Sequence, residues 1–171
     1  MKKEALAPIF VLSLICLFVT GVLSISDMVT RPVIDEASAI RAEEARKEIM
    51  PNAGEFMPIY AEGFPNTITE AFEAANNAGY IFIVTAKGYG GNIVIMCGIG
   101  PDGRIIKTMT LAEMETRGLS TPVFEMEGEY TGKDKSLEGI DAVTGATITS
   151  NAYMGAVRDA FAAFEIVRGM Q

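Results

Sequence analysis

The sequence predicts an α+β domain, a mainly antiparallel sheet flanked by helices, preceded by a single N-terminal transmembrane helix. Three observations carry this. Residues 5–25 form an apolar run without a charge; the middle of the chain has β-branched and aromatic segments separated by tight-turn residues; and apolar residues recur at helical spacing on both sides of that region. With 171 residues and an apolar share of 49%, the chain suits one ordinary domain plus an accessory segment and can bury a core.

The run from Ala5 to Ile25 reads ALAPIFVLSLICLFVTGVLSI. At about 1.5 Å per residue, roughly 20 such residues cross a bilayer's hydrocarbon layer. Lys2 and Lys3 precede it, while Asp27 follows and Arg31 is the nearest cation beyond, so the positive-inside rule leaves the N-terminus cytoplasmic and exports the rest. A cleaved signal peptide is the rival reading, with Ser24 and Ser26 as small residues at a cut, but this apolar core is longer than such peptides carry. The segment Leu12 to Cys16 lacks the small residues of a lipidation site, and no processing glycine precedes the run as in a pilin-like anchor. The expected organisation is therefore residues 1–27 as cytoplasmic N-terminus and anchor, 28–51 as a juxtamembrane helix, and 52–171 as the exported domain.

In the second segment Pro32 suits a first helical turn, Pro51 closes it, and Ile34, Ala37, Ile40, Ala45 and Ile49 give an apolar stripe beside a charged face. A solvated stalk packed on the domain edge is the expectation. Residues 52–66 contain Gly54, Pro58, Gly63 and Pro65 and read as loop or short irregular strands. A short helix is expected from Ile68 to Asn77, ending at Gly79. Tyr80–Ala86 and Asn92–Ile99 then form an antiparallel hairpin around Gly88-Tyr89-Gly90-Gly91, and Pro101-Asp102-Gly103 turns the chain into a third strand, Arg104–Leu111. Met154, Val157, Phe161 and Phe164 mark the apolar face of a final helix, with Thr149 or Ser150 as its N-cap.

Charge and composition exclude several functions. Fourteen Lys and Arg against 22 Asp and Glu give a net charge of −8, all of which remains after residues 1–27 are set aside, so the chain is unsuited to neutralising a nucleic-acid backbone. There is no histidine, which removes imidazole bases and His-ligated metals. The two cysteines, Cys16 and Cys97, are too few for an iron–sulfur cluster, and Cys16 lies in the apolar run, so no disulfide is expected. Redox chemistry in this chain requires a borrowed organic cofactor.

The segment with most chemical content is Asp141-Ala142-Val143-Thr144-Gly145-Ala146-Thr147-Ile148-Thr149-Ser150. Hydroxyls, a glycine and free backbone N–H groups at a helix N-terminus make a site for a phosphate, and the same residues also make an ordinary capped helix start. The Gly88–Gly91 loop likewise reads either as turn chemistry or as a close backbone approach to a ligand.

Asp141-x-x-Thr144-Gly145-Ala146-Thr147 resembles the flavinylation motif, Asp-x-x-Ser/Thr-Gly-Ala-Thr, of the FMN-binding domain family. The resemblance implies that a flavin transferase moves FMN from FAD onto Thr147 as a phosphoester. Thr144, Gly145 and Ala146 would then form the approach, Asp141 would serve recognition by the transferase or hold the loop, and Thr149 and Ser150 would contact phosphate oxygens. Upstream, Gly88-Tyr89-Gly90-Gly91, the Pro-Asp-Gly turn and Glu115-Thr116-Arg117-Gly118-Leu119 follow in the order seen in G subunits of Rnf electron-transport complexes, an organisation shared by the C subunit of the sodium-pumping NADH:quinone reductase. There the second element usually reads Glu-Thr-Pro-Gly-Leu-Gly and lies against the flavin; here Arg117 and Ser120 replace proline and the final glycine. Glu115, Thr116, Gly118 and Leu119 are carried over as FMN neighbours, with Leu119 against the ring.

What the resemblance implies is a membrane-anchored electron carrier, a subunit of an ion-translocating ferredoxin:NAD oxidoreductase, with iron–sulfur and membrane subunits as partners. A flavin takes electrons singly or in pairs and so links partners of either kind. The chain has no nicotinamide fingerprint and no cluster-binding set of cysteines, so those functions fall to other subunits. Two alternatives remain at this level: a covalent-FMN carrier of another extracytoplasmic electron-transfer chain, and an anchored binding or scaffold module whose Thr-Gly-Ala-Thr is only a helix cap.

Overall fold

A computed structural model describes residues 2–115, 118 and 120–170, without the side chains of residues 2–7 and 35. They form an α+β fold in two compact units, Met1–Arg41 and Ala42–Gln171. Helix α1 (Lys2–Ile49) supplies the described residues of the first unit, and its last residues belong to the second. In the first unit Leu14, Leu17, Phe18 and Leu23 are all exposed, and the apolar stretch is long enough to cross a membrane.

Pro32 lies inside α1 and does not begin a second helix as its sequence position suggests. Its missing N–H removes one intrahelical bond, while the turn before it is held by Thr30 Oγ1 donating to the Ser26 carbonyl (2.8 Å) and by an Arg31–Asp27 ion pair (3.3 Å). The helix ends at Ile49, just before Pro51, as expected.

The second unit is built on a five-stranded antiparallel meander in sequence order: β1 (Phe56–Pro58), β2 (Ile68–Ala74), β3 (Tyr80–Lys87), β4 (Asn92–Ile99) and β5 (Ile105–Glu113). The predicted hairpin and third strand are present, with Phe82 opposite Cys97 and Cys97 opposite Thr108. The short helix expected over Ile68–Asn77 is instead strand β2. Glu70, Ala71, Glu73 and Ala74 favour a helix locally, but pairing with β3 puts Ala71 in one core and Ala74 in the other, and this tertiary gain outweighs propensity. Asn77 (φ 55°) and Gly79 (φ 144°) turn the chain into β3.

Both sheet faces are covered, which is why β3 opens with five consecutive buried residues where a half-exposed strand would alternate. One face, with Phe82, Val84, Ile95, Cys97 and Ile99, packs on α3 (Thr147–Gly169), whose Met154, Val157, Phe161 and Phe164 are buried as predicted. The other face, with Ile81, Ile83 and Met96, receives Ala45, Ile49 and Met50 from the end of α1. Gly98 permits that approach, since a Cβ there would overlap Ile49 Cγ2. A short helix α2 (Thr121–Glu125) and a 3-10 turn (Met126–Tyr130), which no periodicity in the sequence marks, lead towards α3, with the Tyr130 and Tyr153 rings 5.1 Å apart.

Burial pushes the Cys97 thiol up from 9.0 to about 12 and the Tyr130 hydroxyl from 10.0 to about 12. Both groups hold their protons more tightly when folded. Their contribution to stability is therefore complete below the unfolded pKa values and declines from about pH 9 to 12, by about 1.4 kcal/mol per pH unit for each group titrating only in the unfolded chain. Urea unfolding followed between pH 8 and 11 is expected to show this decline, and Cys97 is expected to resist alkylation at neutral pH until urea unfolds the domain. A Gly79→Ala chain is expected to lose roughly 2 kcal/mol or more, because its Cβ would press on the Ile99 carbonyl at a φ that L-residues avoid; the urea midpoint measures it.

Candidate functional site

Helix α3 begins at Thr147, with Ala146 as its cap residue and no side-chain cap. The expected N-cap at Thr149 or Ser150 is thus corrected: these are the third and fourth residues of the helix, because left-handed Gly145 (φ 86°) already turns the chain into the helical path. The first bond along the helix is Ser150 N–H to the Ala146 carbonyl (2.9 Å), and the N–H groups of Thr147, Ile148 and Thr149 precede it. They leave a positive helix end open to an anion.

Four hydroxyls lie within this segment and have different fates. Ser150 Oγ accepts from Val143 N–H (3.0 Å) and donates to the Ala146 carbonyl (3.0 Å), which ties loop and helix together. Thr149 Oγ1 donates to Glu115 Oε2 (2.9 Å). Both residues are buried, whereas Thr144 and Thr147 are exposed. Of these two, only Thr147 lines the adjoining cavity.

That cavity, of about 420 Å³, is walled by Tyr89, Glu115, Ser120 and residues 145–149. Its volume falls in the range of roughly 300–1,000 Å³ usual for small-ligand clefts. Glu115, Gly145, Ala146, Thr147 and Thr149, all named from sequence, come together here. Asp141 and Thr144 lie exposed on the loop outside the lining, and Ser150 sits beneath it. Gly118 (φ 93°) donates its N–H to Thr121 Oγ1 (3.2 Å) and is not in the wall; Thr116, Arg117 and Leu119 lie outside the described residues.

The glycine loop is both a turn and a close approach, but the surface it approaches is protein. Gly88 N–H bonds the Gly91 carbonyl (2.8 Å), closing the hairpin. A Cβ on Gly88 would overlap the Glu115 carboxylate, on Gly90 the Met114 carbonyl, and on Gly91 the Met114 side chain. Gly90 N–H donates to Glu115 Oε1 (3.1 Å). Sequence reasoning gives no site role to Tyr89, Ser120 or Ile148. One available signal is exposure against type: Tyr89 stands among three glycines, and Ile148 lies between two threonines off the buried helical face.

A small cavity with one exposed aliphatic hydroxyl, that of Thr147, in its wall at the open N-terminus of a long helix defines a domain suited to a phosphate-bearing ligand. Residues 88–162 match the FMN-binding domain family. Over most of its length the chain is similar to the G subunit of the ion-translocating oxidoreductase complex of Shewanella piezotolerans, at 28% identity covering 92% of this chain and 88% of the relative. It is likewise similar to the G subunit of the Na(+)-translocating ferredoxin:NAD(+) oxidoreductase complex of Acetobacterium woodii, at 27% identity with 87% and 88% covered. A third similarity, to the G subunit of the ion-translocating oxidoreductase complex of Methanosarcina acetivorans, has 27% identity with 93% and 94% covered. The described residues fit an FMN phosphate: three first-turn N–H groups, an open Gly145 with no atom in reach of a Cβ, and an accessible hydroxyl.

Ser150→Ala is expected to lower stability by about 1–3 kcal/mol, since it strands the part-buried Val143 N–H. Urea melts measure the loss, and faster amide exchange across residues 141–147 is expected to accompany it.

Proposed function

We propose that this chain carries FMN covalently, as a phosphoester on Thr147, and serves as the membrane-anchored, electron-carrying G-type subunit of an Rnf-type ion-translocating ferredoxin:NAD oxidoreductase. The observation that carries the reading is the selection among hydroxyls: of the four between residues 144 and 150, Thr147 alone is both exposed and in the cavity wall. The match of residues 88–162 to the FMN-binding domain family and the similarity to three G subunits support it. The bound flavin supplies one- and two-electron exchange.

The chain's own residues do the rest. A flavin transferase needs a reachable nucleophile, and Thr147 presents one. In the transfer Thr147 Oγ1 bonds to the FMN phosphorus, the pyrophosphate P–O bond of FAD breaks, AMP leaves, and the hydroxyl proton passes to a base of the transferase. The amides of Thr147, Ile148 and Thr149 receive phosphate oxygens; the Thr149 hydroxyl and all of Ser150 act only through the loop and helix start they hold, since both hydroxyls and the Ser150 N–H are engaged. Gly145 and Ala146 keep the approach open, while Asp141 and Thr144 face the transferase. Glu115 would lie beside the flavin; the resemblance assigns Thr116, Gly118 and Leu119 of the same segment to it as well, although Gly118 is outside the cavity wall.

In this reading residues 1–27 form a cytoplasmic N-terminus and anchor, 28–51 a juxtamembrane segment, and 52–171 the exported FMN domain, with the iron–sulfur, nicotinamide and ion-conducting functions in partner subunits. The charge pattern of Lys2 and Lys3 before the apolar run supports that orientation.

Intact mass of the full-length chain, coexpressed with a flavin transferase, is expected to show one FMN adduct that Thr147→Ala abolishes and Thr144→Ala retains. A full flavin complement on Thr147→Ala rejects the reading.

A further inference from the structure

We propose that Glu115 is a positioning residue, a latch that sets the cavity's geometry by holding the glycine hairpin loop against the first turn of α3. Its function in flavin placement rests on the reading of Thr147 given above. The two carboxylate oxygens are divided between elements far apart in sequence: Oε1 accepts from Gly90 N–H (3.1 Å) in the loop between β3 and β4, and Oε2 accepts from Thr149 Oγ1 (2.9 Å) in α3. Tyr89 and Thr147, one residue before Gly90 and two before Thr149, line the same cavity, so the latch ties together two parts of its wall that come from different elements.

The glycines corroborate the fit. Side chains at Gly88 or Gly90 would displace residues 114–115, so the loop can lie this close only because those positions carry no Cβ. The carboxylate is itself oriented by its own segment, where Glu115 N–H donates to Glu113 Oε2 (2.6 Å). An acceptor-only group suits this place, because it meets an amide and a hydroxyl that both donate. A shorter side chain cannot reach both.

The test uses the full-length chain with FAD and a flavin transferase, comparing wild type with Glu115→Ala, Glu115→Gln and Thr149→Val. Glutamine can accept from Gly90 and donate to the Thr149 oxygen, so it preserves the span; alanine removes both ends and Thr149→Val removes one. Covalent flavin incorporation is expected to slow at least tenfold in Glu115→Ala, to slow measurably in Thr149→Val, and to stay within twofold in Glu115→Gln. The visible circular dichroism of the incorporated flavin is expected to fall by more than half in Glu115→Ala and to be retained in Glu115→Gln, a signature that mere loss of stability does not produce.

In flavin-free chains, amide exchange across residues 88–91 is expected to quicken at least tenfold in Glu115→Ala and Thr149→Val alone. Native incorporation, dichroism and exchange in a folded Glu115→Ala overturn the proposal, as does Glu115→Gln behaving like Glu115→Ala. Should Glu115→Ala not fold, Thr149→Val decides by the same readouts. Wild type that takes no flavin defeats the covalent reading and the placement role, while exchange still reports whether the latch holds.

Discussion

The position of the site follows from how α3 lies on the sheet. Tyr153, Val157, Phe161 and Phe164 bury one helical face on the Phe82, Val84, Ile95 and Cys97 side, and the Tyr80 ring meets Phe164 edge-on at 5.7 Å. Such packing allows little sliding, because displacing interlocked side chains opens voids or forces strained rotamers. Ala156, Ala160 and Ala163 are buried along the same helix, where small side chains admit close approach. With the helix fixed, its first turn is fixed too, and Thr147 is held beside the β3–β4 loop through the bridge at Glu115.

Around that first turn, solvation separates reactive from structural hydroxyls. A buried hydroxyl is costly without partners, and Thr149 and Ser150 find theirs in Glu115, Val143 and Ala146. Those contacts also shape the loop, so the residues cannot be released for chemistry without loosening it. Thr147 escapes this fate because the helix starts at it and its side chain faces solvent. The difference between neighbours of like chemistry is therefore one of helical phase.

Much of this is legible in the residues alone. The Gly88–Gly91 hairpin, the Pro101–Gly103 turn and the face of α3 follow from turn chemistry and periodicity, which are local. Strand β2 is not, because Ile68–Ala74 is helix-like by composition and takes its conformation from pairing with β3. The helix start falls too late when read from side-chain type, for a related reason: Thr149 and Ser150 look like caps, yet Gly145 turns the chain earlier and sends their hydroxyls inward. Glu115 is recognisable by its motif, but its link to Gly90 and Thr149 joins three separate parts of the chain, and no window of sequence contains it.

The electrostatics of the cavity bear on why a covalent bond would be needed at all. The chain is acidic overall, and among the described residues no Lys or Arg lines the cavity, whereas a carboxylate does. Attraction for a phosphate comes from the helix end and three amides, an effect of about 0.3–1 kcal/mol at exposed sites for the dipole and one that salt screens. Glu115 commits its two oxygens to Gly90 and Thr149, which keeps it in the wall without making the wall attractive to anions. A site of this composition orients a phosphate better than it retains one. In the proposed reading the phosphoester on Thr147 supplies the retention, leaving the protein's noncovalent contacts to set geometry.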